Sequence, residues 1–350
     1  MPETLCLALP KEPAGGSYTF MRYFRDYLTR QGIAWTHDMS AEYDILFVNS
    51  WTIPYGAVLR QKKARPNLRV VHRIDGAAQE YGRRDGVDWL QRDVNRLADL
   101  TVYQSQYAFN ATHDRYRLTS MRGPVIHNPV DTTHFSPEGP RYEWPSGVTR
   151  VISVGWSLNL LKGNWRIPIL ARANPNVEFV VVGRHTEVYD LPNVRKIDFL
   201  EHEDLPQALR SVDAYLSLIQ NDACPNVIIE ALACGLPVIY VPSGGVPELV
   251  RGAGVAFASD ADFPAALEKV MVDRERLADE ARRIALENHQ LDDVFSRYME
   301  VIRTAQRRPL PATGFHLRAA VDFKTWEARQ FLRKWRLILT GKQPLRKPRP

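Results

Sequence analysis

The segment DACPNVIIEALACGLPVIYVPSGGVPELV (residues 222–250) contains a short helix followed by an apolar strand. Pro225 suits the first position of a helix, an apolar run forms its body, and a glycine and a proline end it. A helix that leaves a strand in this way presents free N–H groups and the positive end of its dipole at the carboxyl edge of a sheet. We therefore expect an anion, above all a phosphate, at the helix start near Asn226 and Val227.

Short apolar runs rich in β-branched residues alternate with helical patterns on both sides of this segment. This is the βαβ pattern of parallel sheets covered by helices. Two series of strands can be distinguished, and they predict an α/β protein with two Rossmann-like domains. The first series is 5–9, 44–48, 68–74, 100–103 and 124–127, and the second is 151–154, 177–182, 194–199, 214–219 and 237–241.

The stretch 128–147 holds four prolines and two glycines, a composition that predicts a linker between domains. A chain of 350 residues also exceeds what one hydrophobic core usually organises. We expect residues 1–145 to form the first domain and residues 146–307 a second domain closed by helices at 261–289 and 291–307. Residues 308–350 are expected to form a basic tail.

The composition is that of an ordinary globular protein, with 45% apolar and 25% charged residues. The three cysteines (Cys6, Cys224 and Cys234) have neither CxxC spacing nor a neighbouring histidine cluster, which argues against a disulfide framework and a structural zinc site. We expect no metal and no cofactor. The N-terminus lacks the features of a signal peptide, and no window approaches 18 apolar residues, so we expect a cytoplasmic location.

Glu230 lies in the otherwise apolar helix of the opening segment, where a carboxylate is costly unless it has a partner. One interpretation is that it accepts hydrogen bonds from ribose or sugar hydroxyls. The alternative is a solvated residue on the helix face.

The segment VISVGWSLNLLKGNW (residues 151–165) predicts a strand that ends at Gly155, followed by a loop that carries Lys162. A glycine at a strand end lets the backbone come close to a ligand, and a lysine can meet a diphosphate as a point charge. The alternative for Lys162 is a solvated surface residue.

The segment KEPAGGSYTF (residues 11–20) follows the first strand and opens a helix. Gly15 and Gly16 permit close approach of the backbone to a ligand, with Ser17 as a helix cap. A plain turn is the alternative.

The segment VVHRIDG (residues 70–76) is an apolar strand with ionisable residues at its carboxyl end, where α/β active sites draw their groups. We expect His72 and Asp75 to face a cleft, with Arg73 in reserve. The alternative for His72 is a histidine on the strand face whose hydrogen bonds are satisfied.

Together these blocks resemble glycosyltransferase family 4 (glycosyl transferases group 1), whose members have the GT-B fold. The family carries a glutamate, seven further residues, a second glutamate, an alanine-rich helix and a GG-x-PE loop. Glu230 matches the second glutamate, Asp222 stands in place of the first, and Gly244 and Gly245 belong to the matching loop. Lys162 matches a lysine that contacts the donor phosphates. The resemblance extends over residues 1–305 and is most specific at 222–248.

One phosphate contact of the family has no counterpart at its usual position. Trp156 stands where family members have an arginine. Arg184 or Arg166 is a candidate to supply the missing charge. The segment NPVDTTHFSP (residues 128–137) resembles the family's signature before the interdomain linker, and we expect Asp131 to be a turn residue there.

The resemblance implies two Rossmann-like domains with parallel sheets facing across a cleft, and helices at the C-terminus. It implies a retaining hexosyltransferase that moves a sugar from a nucleotide diphosphate sugar to a glycan, a glycolipid or a polysaccharide precursor, without a metal. The first domain would hold the acceptor, with Gly15, Gly16 and Arg73 lining the cleft. In the donor site Glu230 would bind ribose, Asp222 the sugar, Lys162 and residues 226–227 the diphosphate, and His72 or Asp75 the reacting group. The alternatives are a nucleotide-sugar epimerase of the same architecture and a nucleotide-sugar-binding protein without catalysis.

Residues 316–350 hold ten Lys or Arg against two acidic residues, so this tail carries +8, whereas the whole chain carries +6 and the first 315 residues −2. An apolar arc at 100° per residue predicts an amphipathic basic helix. This helix either lies on an anionic membrane at the cytoplasmic side or docks on the first domain. A nucleic-acid partner is disfavoured because no recognised module accompanies the charge. The arc consists of residues 321, 328, 331, 332, 335, 338 and 339.

Overall fold

The computed structural model of the protein describes residues 3–7, 15–155, 157, 159–183, 190–198 and 200–339, with the backbone alone for residues 334 and 336–339. Several sequence predictions fall at other positions and lie outside the described residues. They are the ends of the strands at 5–9 and 194–199, positions 11–14 of the glycine loop, Trp156, Arg184 and the last eleven residues of the tail.

The first sheet has five parallel strands in the order β2-β1-β3-β4-β5. Their residues are almost entirely buried, because helices cover both faces, and this explains the continuous apolar runs in the sequence. The strands are β1 (Leu5–Leu7), β2 (Trp35–Thr36), β3 (Ile45–Asn49), β4 (Arg69–Ile74) and β5 (Leu100–Tyr103). The helices that accompany them are α1 (Gly16–Arg30), α2 (Tyr55–Ala64), α3 (Val87–Asn95) and α4 (Gln106–Phe109).

The second sheet has six parallel strands in the order β11-β10-β9-β6-β7-β8. The strands are β6 (Thr149–Gly155), β7 (Val177–Gly183), β8 (Val194–Ile197), β9 (Ala214–Ser217), β10 (Val238–Tyr240) and β11 (Gly254–Ala256). The remaining helices are α5 (Ile167–Ala173), α6 (Leu205–Arg210), α7 (Asn226–Ala233), α8 (Val246–Val250), α9 (Phe263–Val272), α10 (Arg274–Asn288), α11 (Leu291–Arg303) and α12 (Thr313–Leu339). The predicted α/β class with two parallel sheets is confirmed.

The differences from the predicted elements are local. Residues 124–127 form no strand, and Val125 makes only an isolated bridge to Tyr103. Strands β2 and β11 are two and three residues long and gave no recognisable pattern in the sequence. The predicted helix at 261–289 is two helices, α9 and α10, which meet at Asp273, a residue type preferred before a helix start.

Helix α11 packs on the first sheet, which corrects the expectation that it closes the second domain. Its Phe295 ring lies 5.0 Å from that of Phe24, and its Tyr298 ring lies 5.3 Å from that of Phe20, both on α1. All four side chains belong to one buried cluster with the first-sheet strands. The aromatic face of α1 needs an apolar cover, and α11 supplies it.

Helix α12 docks on the first domain through one face. Ala319 is 1% exposed, and Asp322 accepts a hydrogen bond from Arg92 at 2.6 Å. The Trp326 ring lies 5.9 Å from the Trp51 ring. The docking alternative therefore describes this part of the tail. Among the described residues, no helix is both long enough and apolar enough to cross a membrane.

Candidate functional site

A cavity of about 640 Å³ lies between the carboxyl ends of the two sheets. It is lined by the ends of strands β4 and β6 and by the starts of helices α1 and α7. The structure places ten of the thirteen predicted site residues at this cavity: Gly15, Gly16, Arg73, Asp75, Gly155, Lys162, Asp222, Asn226, Val227 and Glu230. Their individual roles stay predictions.

Glu230 lies on α7, one turn inside the helix start, and is 8% exposed. No described residue donates a hydrogen bond to its carboxyl group, which faces the cavity. Burial raises the pKa of Glu230 to about 7. A buried carboxyl group that lacks a protein partner is ready to accept hydrogen bonds from a ligand.

Lys162 and Asp222 form an ion pair in the cavity, with Nζ 2.6 Å from Oδ2. The Cys224 backbone N–H donates to the other carboxylate oxygen of Asp222 at 3.2 Å. Tyr81, from the first domain, lies beneath this pair, and its ring centroid is 5.8 Å from Nζ. Burial, together with the neighbouring Asp222, holds the pKa of Tyr81 well above its usual value, so Tyr81 stays neutral.

Two helices begin at this cavity. Neither the start of α1 nor the start of α7 is capped by a side chain. A Cβ atom at Gly16 would lie only 3.4 Å from Asn226 Nδ2, so the two helix starts approach each other closely. Ser17, predicted as a cap, lies inside the first turn of α1 and accepts a hydrogen bond from Asn49. Both helices present backbone N–H groups and positive dipole ends to an anion in the cavity.

Arg73 connects the two domains at the floor of the cavity. Its guanidinium donates to Asn128 Oδ1 at 2.5 Å, and Asn128 Nδ2 donates to Asn226 Oδ1 at 2.7 Å. Arg73 also pairs with Asp75 and lies over the Phe20 ring at 3.9 Å. This buried network holds the start of α7 against the end of β4.

His72 does not face the cleft, which corrects the sequence prediction. Successive side chains of a strand point to opposite faces, so His72 and Arg73 cannot share one. His72 is fully buried, with Nε2 2.7 Å from Ser50 O and Nδ1 3.1 Å from Asn95 Nδ2. Burial lowers the pKa of His72 to about 4, so the ring is neutral. Arg73, named in reserve, occupies the cleft in its place, beside Asp75.

Gly244 and Gly245 do not line the cavity; they support it from behind. A Cβ atom on Gly244 would lie 2.3 Å from Asp222 O, and one on Gly245 would lie 2.1 Å from Ala223 O. The loop therefore packs against the backbone next to Asp222 in a way that only glycine allows. Glu248 of the same loop accepts hydrogen bonds from two backbone N–H groups at the start of α4, each at 2.7 Å, and so links the domains.

The missing phosphate-binding arginine is not replaced by Arg166. Its guanidinium is 9% exposed and pairs with Asp260, away from the cavity. Trp156 and Arg184 lie outside the described residues. Asp131 is a turn residue as expected, because its carboxylate accepts from the backbone N–H groups of Thr133 and His134.

Several cavity residues were missed by sequence reasoning. Gln104 and Asn128 follow apolar runs of the first series, and this strand-end position was a usable signal. Tyr81 and His202 lie in irregular segments, where no pattern marks a site. His202 Nε2 lies 2.8 Å from the Tyr23 hydroxyl across the cleft.

A second cavity of about 330 Å³ opens beside the first. Asp75, Tyr81 and Lys162 line both cavities, so the two meet at these side chains. Trp51, with 36% of its surface exposed, forms part of the outer wall. No group of three or more His, Cys, Asp or Glu suited to a metal ion occurs among the described residues.

The two parallel sheets and the cleft between their carboxyl ends define a GT-B protein, which confirms the predicted fold class. The fold is similar to that of a sucrose-phosphate synthase from Thermosynechococcus elongatus, with a TM-score of 0.69. That comparison covers 86% of this chain and 98% of the other, at 15% sequence identity.

Residues 159–273 match the family model described as glycosyl transferases group 1. The chain thus carries a domain of this family, and the resemblance predicted from the sequence is confirmed.

Two named relatives align with large parts of the chain. One of them belongs to the human phosphatidylinositol N-acetylglucosaminyltransferase and is 30% identical over 176 residues, 45% of this chain and 36% of the relative. The other, a GDP-mannose-dependent alpha-mannosyltransferase from Mycolicibacterium smegmatis, is 27% identical over 233 residues, 61% of this chain and 60% of the relative. The chain therefore spans less than two thirds of the length of either relative.

Proposed function

We propose that the protein is a glycosyltransferase that uses a nucleotide diphosphate sugar as donor. The observation that carries this proposal is the buried, unpaired carboxyl group of Glu230. It faces the same cavity as Lys162 and the uncapped start of α7. One site thus offers an acceptor for hydroxyl groups and two positive partners for phosphates.

The donor fits the cavity in one orientation. The diphosphate lies at the N–H groups of Asn226 and Val227, next to Lys162, and the ribose hydroxyls donate to Glu230. The sugar then lies near Asp222 and points toward the first domain. The relatives' names support such a donor, since one of them is GDP-mannose-dependent.

The transfer exchanges one bond for another at the anomeric carbon of the donor sugar. The oxygen of the acceptor hydroxyl forms the new bond, and the bond to the diphosphate breaks with its electron pair on the phosphate oxygen. The hydroxyl proton passes to an oxygen of the departing diphosphate. Lys162 and the starts of α1 and α7 stabilise the growing negative charge, so the proposed reaction needs no divalent metal. Retention at the anomeric carbon, and a hexose as the transferred sugar, are part of this proposal through the family resemblance.

The acceptor, a glycan, a glycolipid or a polysaccharide precursor, enters from the second cavity. Asp75 stands where the two cavities meet, and one of its carboxylate oxygens accepts no hydrogen bond from the described residues. This oxygen can orient the acceptor hydroxyl toward the donor. The exposed indole of Trp51 can pack against the C–H face of a sugar ring.

The deciding experiment measures binding of UDP, GDP and their sugar derivatives by titration calorimetry, followed by turnover of the donor that binds. Glu230→Ala should weaken the bound nucleotide by about tenfold or more, because the ribose hydrogen bonds are lost. Glu178→Ala is the matched control, since Glu178 pairs with Arg150 outside the cavity.

Each other outcome has a definite meaning. Binding without transfer or donor hydrolysis would leave a nucleotide-sugar-binding protein, and conversion of the sugar without an acceptor would indicate an epimerase. Turnover that is abolished by a chelator and restored by a divalent cation would contradict the metal-independent mechanism. Equal affinity in Glu230→Ala would remove the ribose assignment.

A further inference from the structure

Helix α12 has two apolar faces, and only one of them is covered. The inner face carries Phe315, Ala319 and Trp326 against the first domain. The outer face repeats apolar residues at spacings of three to four, which places them on a single stripe of the helix. Its large side chains are 48–71% exposed: Leu317, Val321, Phe331, Leu332 and Trp335.

This stripe is the largest concentration of exposed apolar side chains among the described residues. Five of the fourteen large exposed hydrophobic residues lie on it. From Leu317 to Trp335 it extends for roughly 27 Å at the helical rise of 1.5 Å per residue. An apolar surface of this size on a folded protein usually meets a partner.

The charge around the stripe indicates the kind of partner. Arg318 and Lys324 flank it with 66% and 78% of their side chains exposed, and Arg333 is also exposed. The tail from residue 316 onward carries a net charge of +8. A second copy of this surface would be repelled by its own charge, whereas an anionic surface would be attracted.

We propose that the outer stripe of α12 binds an anionic lipid bilayer and lies in its interface. The apolar side chains enter the boundary between headgroups and acyl chains, Trp335 lies at headgroup level, and the arginines and lysines contact the lipid phosphates. The inner face keeps the helix on the first domain, so the bilayer is held against the protein rather than on a free tail. Trp326 contacts Trp51 of the second cavity, so the bound bilayer lies beside that cavity.

The experiment is sedimentation of the full chain with large unilamellar vesicles, made either of phosphatidylcholine alone or of equal parts phosphatidylcholine and phosphatidylglycerol. We expect the wild type to sediment with the anionic vesicles and to be released by salt. Val321→Asp should lower the vesicle affinity by about tenfold or more, because the interface must then take up a carboxylate. Val272→Asp is the matched control, since Val272 is an exposed valine on α9, in the second domain.

Three results would overturn the proposal: no sedimentation of the wild type with anionic vesicles, equal sedimentation with neutral ones, or full sedimentation of Val321→Asp. Gel filtration separates a protein partner from a lipid surface, because a dimer that Val321→Asp dissociates would assign the stripe to a second copy. Should Val321→Asp unfold, Leu332→Asp, farther along the exposed face, gives the same reading. Nucleotide affinity is expected to be unchanged in all these variants, so the result does not depend on the proposed function.

Discussion

Lys162 Nζ lies 2.6 Å from Asp222 Oδ2, so the lysine assigned to the donor diphosphate is already paired in the unliganded protein. The two residues follow β6 and β9, which are neighbours in the second sheet. Both side chains are largely buried, which strengthens their attraction relative to a surface pair. A diphosphate must therefore compete with Asp222 for Lys162.

This competition predicts the effect of Asp222→Asn. The variant should bind a nucleoside diphosphate more tightly than the wild type, by up to about tenfold, because Lys162 is released for the phosphates. Transfer should nevertheless slow down, since Asp222 is assigned to the sugar. Titration calorimetry measures the first effect and initial rates measure the second. In Asp222→Asn combined with Lys162→Ala the gain in affinity should vanish, and a weaker diphosphate affinity in the single variant would contradict the competition.

The protonation of Glu230 predicts a pH dependence of donor binding. With a pKa of about 7 in the unliganded protein, Glu230 loses its carboxylate as the pH falls below 7. Because ribose hydroxyls need the carboxylate as acceptor, nucleotide affinity should fall over the same range. Glu230→Gln should lack this component and show only the titration of the nucleotide itself. Parallel curves for the two proteins would disprove the assignment.

The same pKa predicts how Glu230 affects stability. The folded state holds its proton up to a pH of about 7, and the unfolded state only to about 4.5, so folding stability falls as the pH rises between these values. The effect amounts to roughly 3 kcal/mol at most. Glu230→Gln should therefore melt at a higher temperature than the wild type at pH 8, by more than at pH 5. Thermal unfolding at both pH values measures this difference.

Asp75 and His72 should behave differently although they are three residues apart. Asp75→Asn should lower turnover by roughly 10²-fold or more with little change in donor affinity, because the acceptor hydroxyl loses its partner. His72→Gln should leave turnover within about tenfold of the wild type and lower the melting temperature, because two buried hydrogen bonds are disturbed. A severe loss of turnover in folded His72→Gln would contradict the orientation of this side chain.

The second cavity predicts an effect on the acceptor alone. Trp51→Ala should raise the KM for the acceptor by about tenfold, because the sugar loses an aromatic platform, and should leave nucleotide affinity unchanged. Trp89→Ala is the matched control, since Trp89 is equally exposed and also contacts α12, through Arg329, but lies outside the cavity. An equal effect in both variants would indicate that the docking of α12 is disturbed rather than acceptor binding.

Much of the site was predictable because it is built at strand ends. Gly155, Asp75 and Asp222 each follow a parallel strand, and the carboxyl ends of such strands meet at one edge of a sheet. The position of His72 was also predictable, since the alternation of a strand places it opposite Arg73. Tyr81 was not predictable, because irregular segments carry no periodic signal.

The sequence by itself determined the class of the fold, the order of most elements and the helix start at 226–227, because apolar periodicity, glycines and prolines act locally. The tertiary structure alone decided which surfaces meet. It paired Lys162 with Asp222, and it placed α11 and α12 on the first domain after the chain had passed through the second. An apolar helix face records that it must be covered, but not by which partner. That choice depends on complementary shapes far apart in the chain.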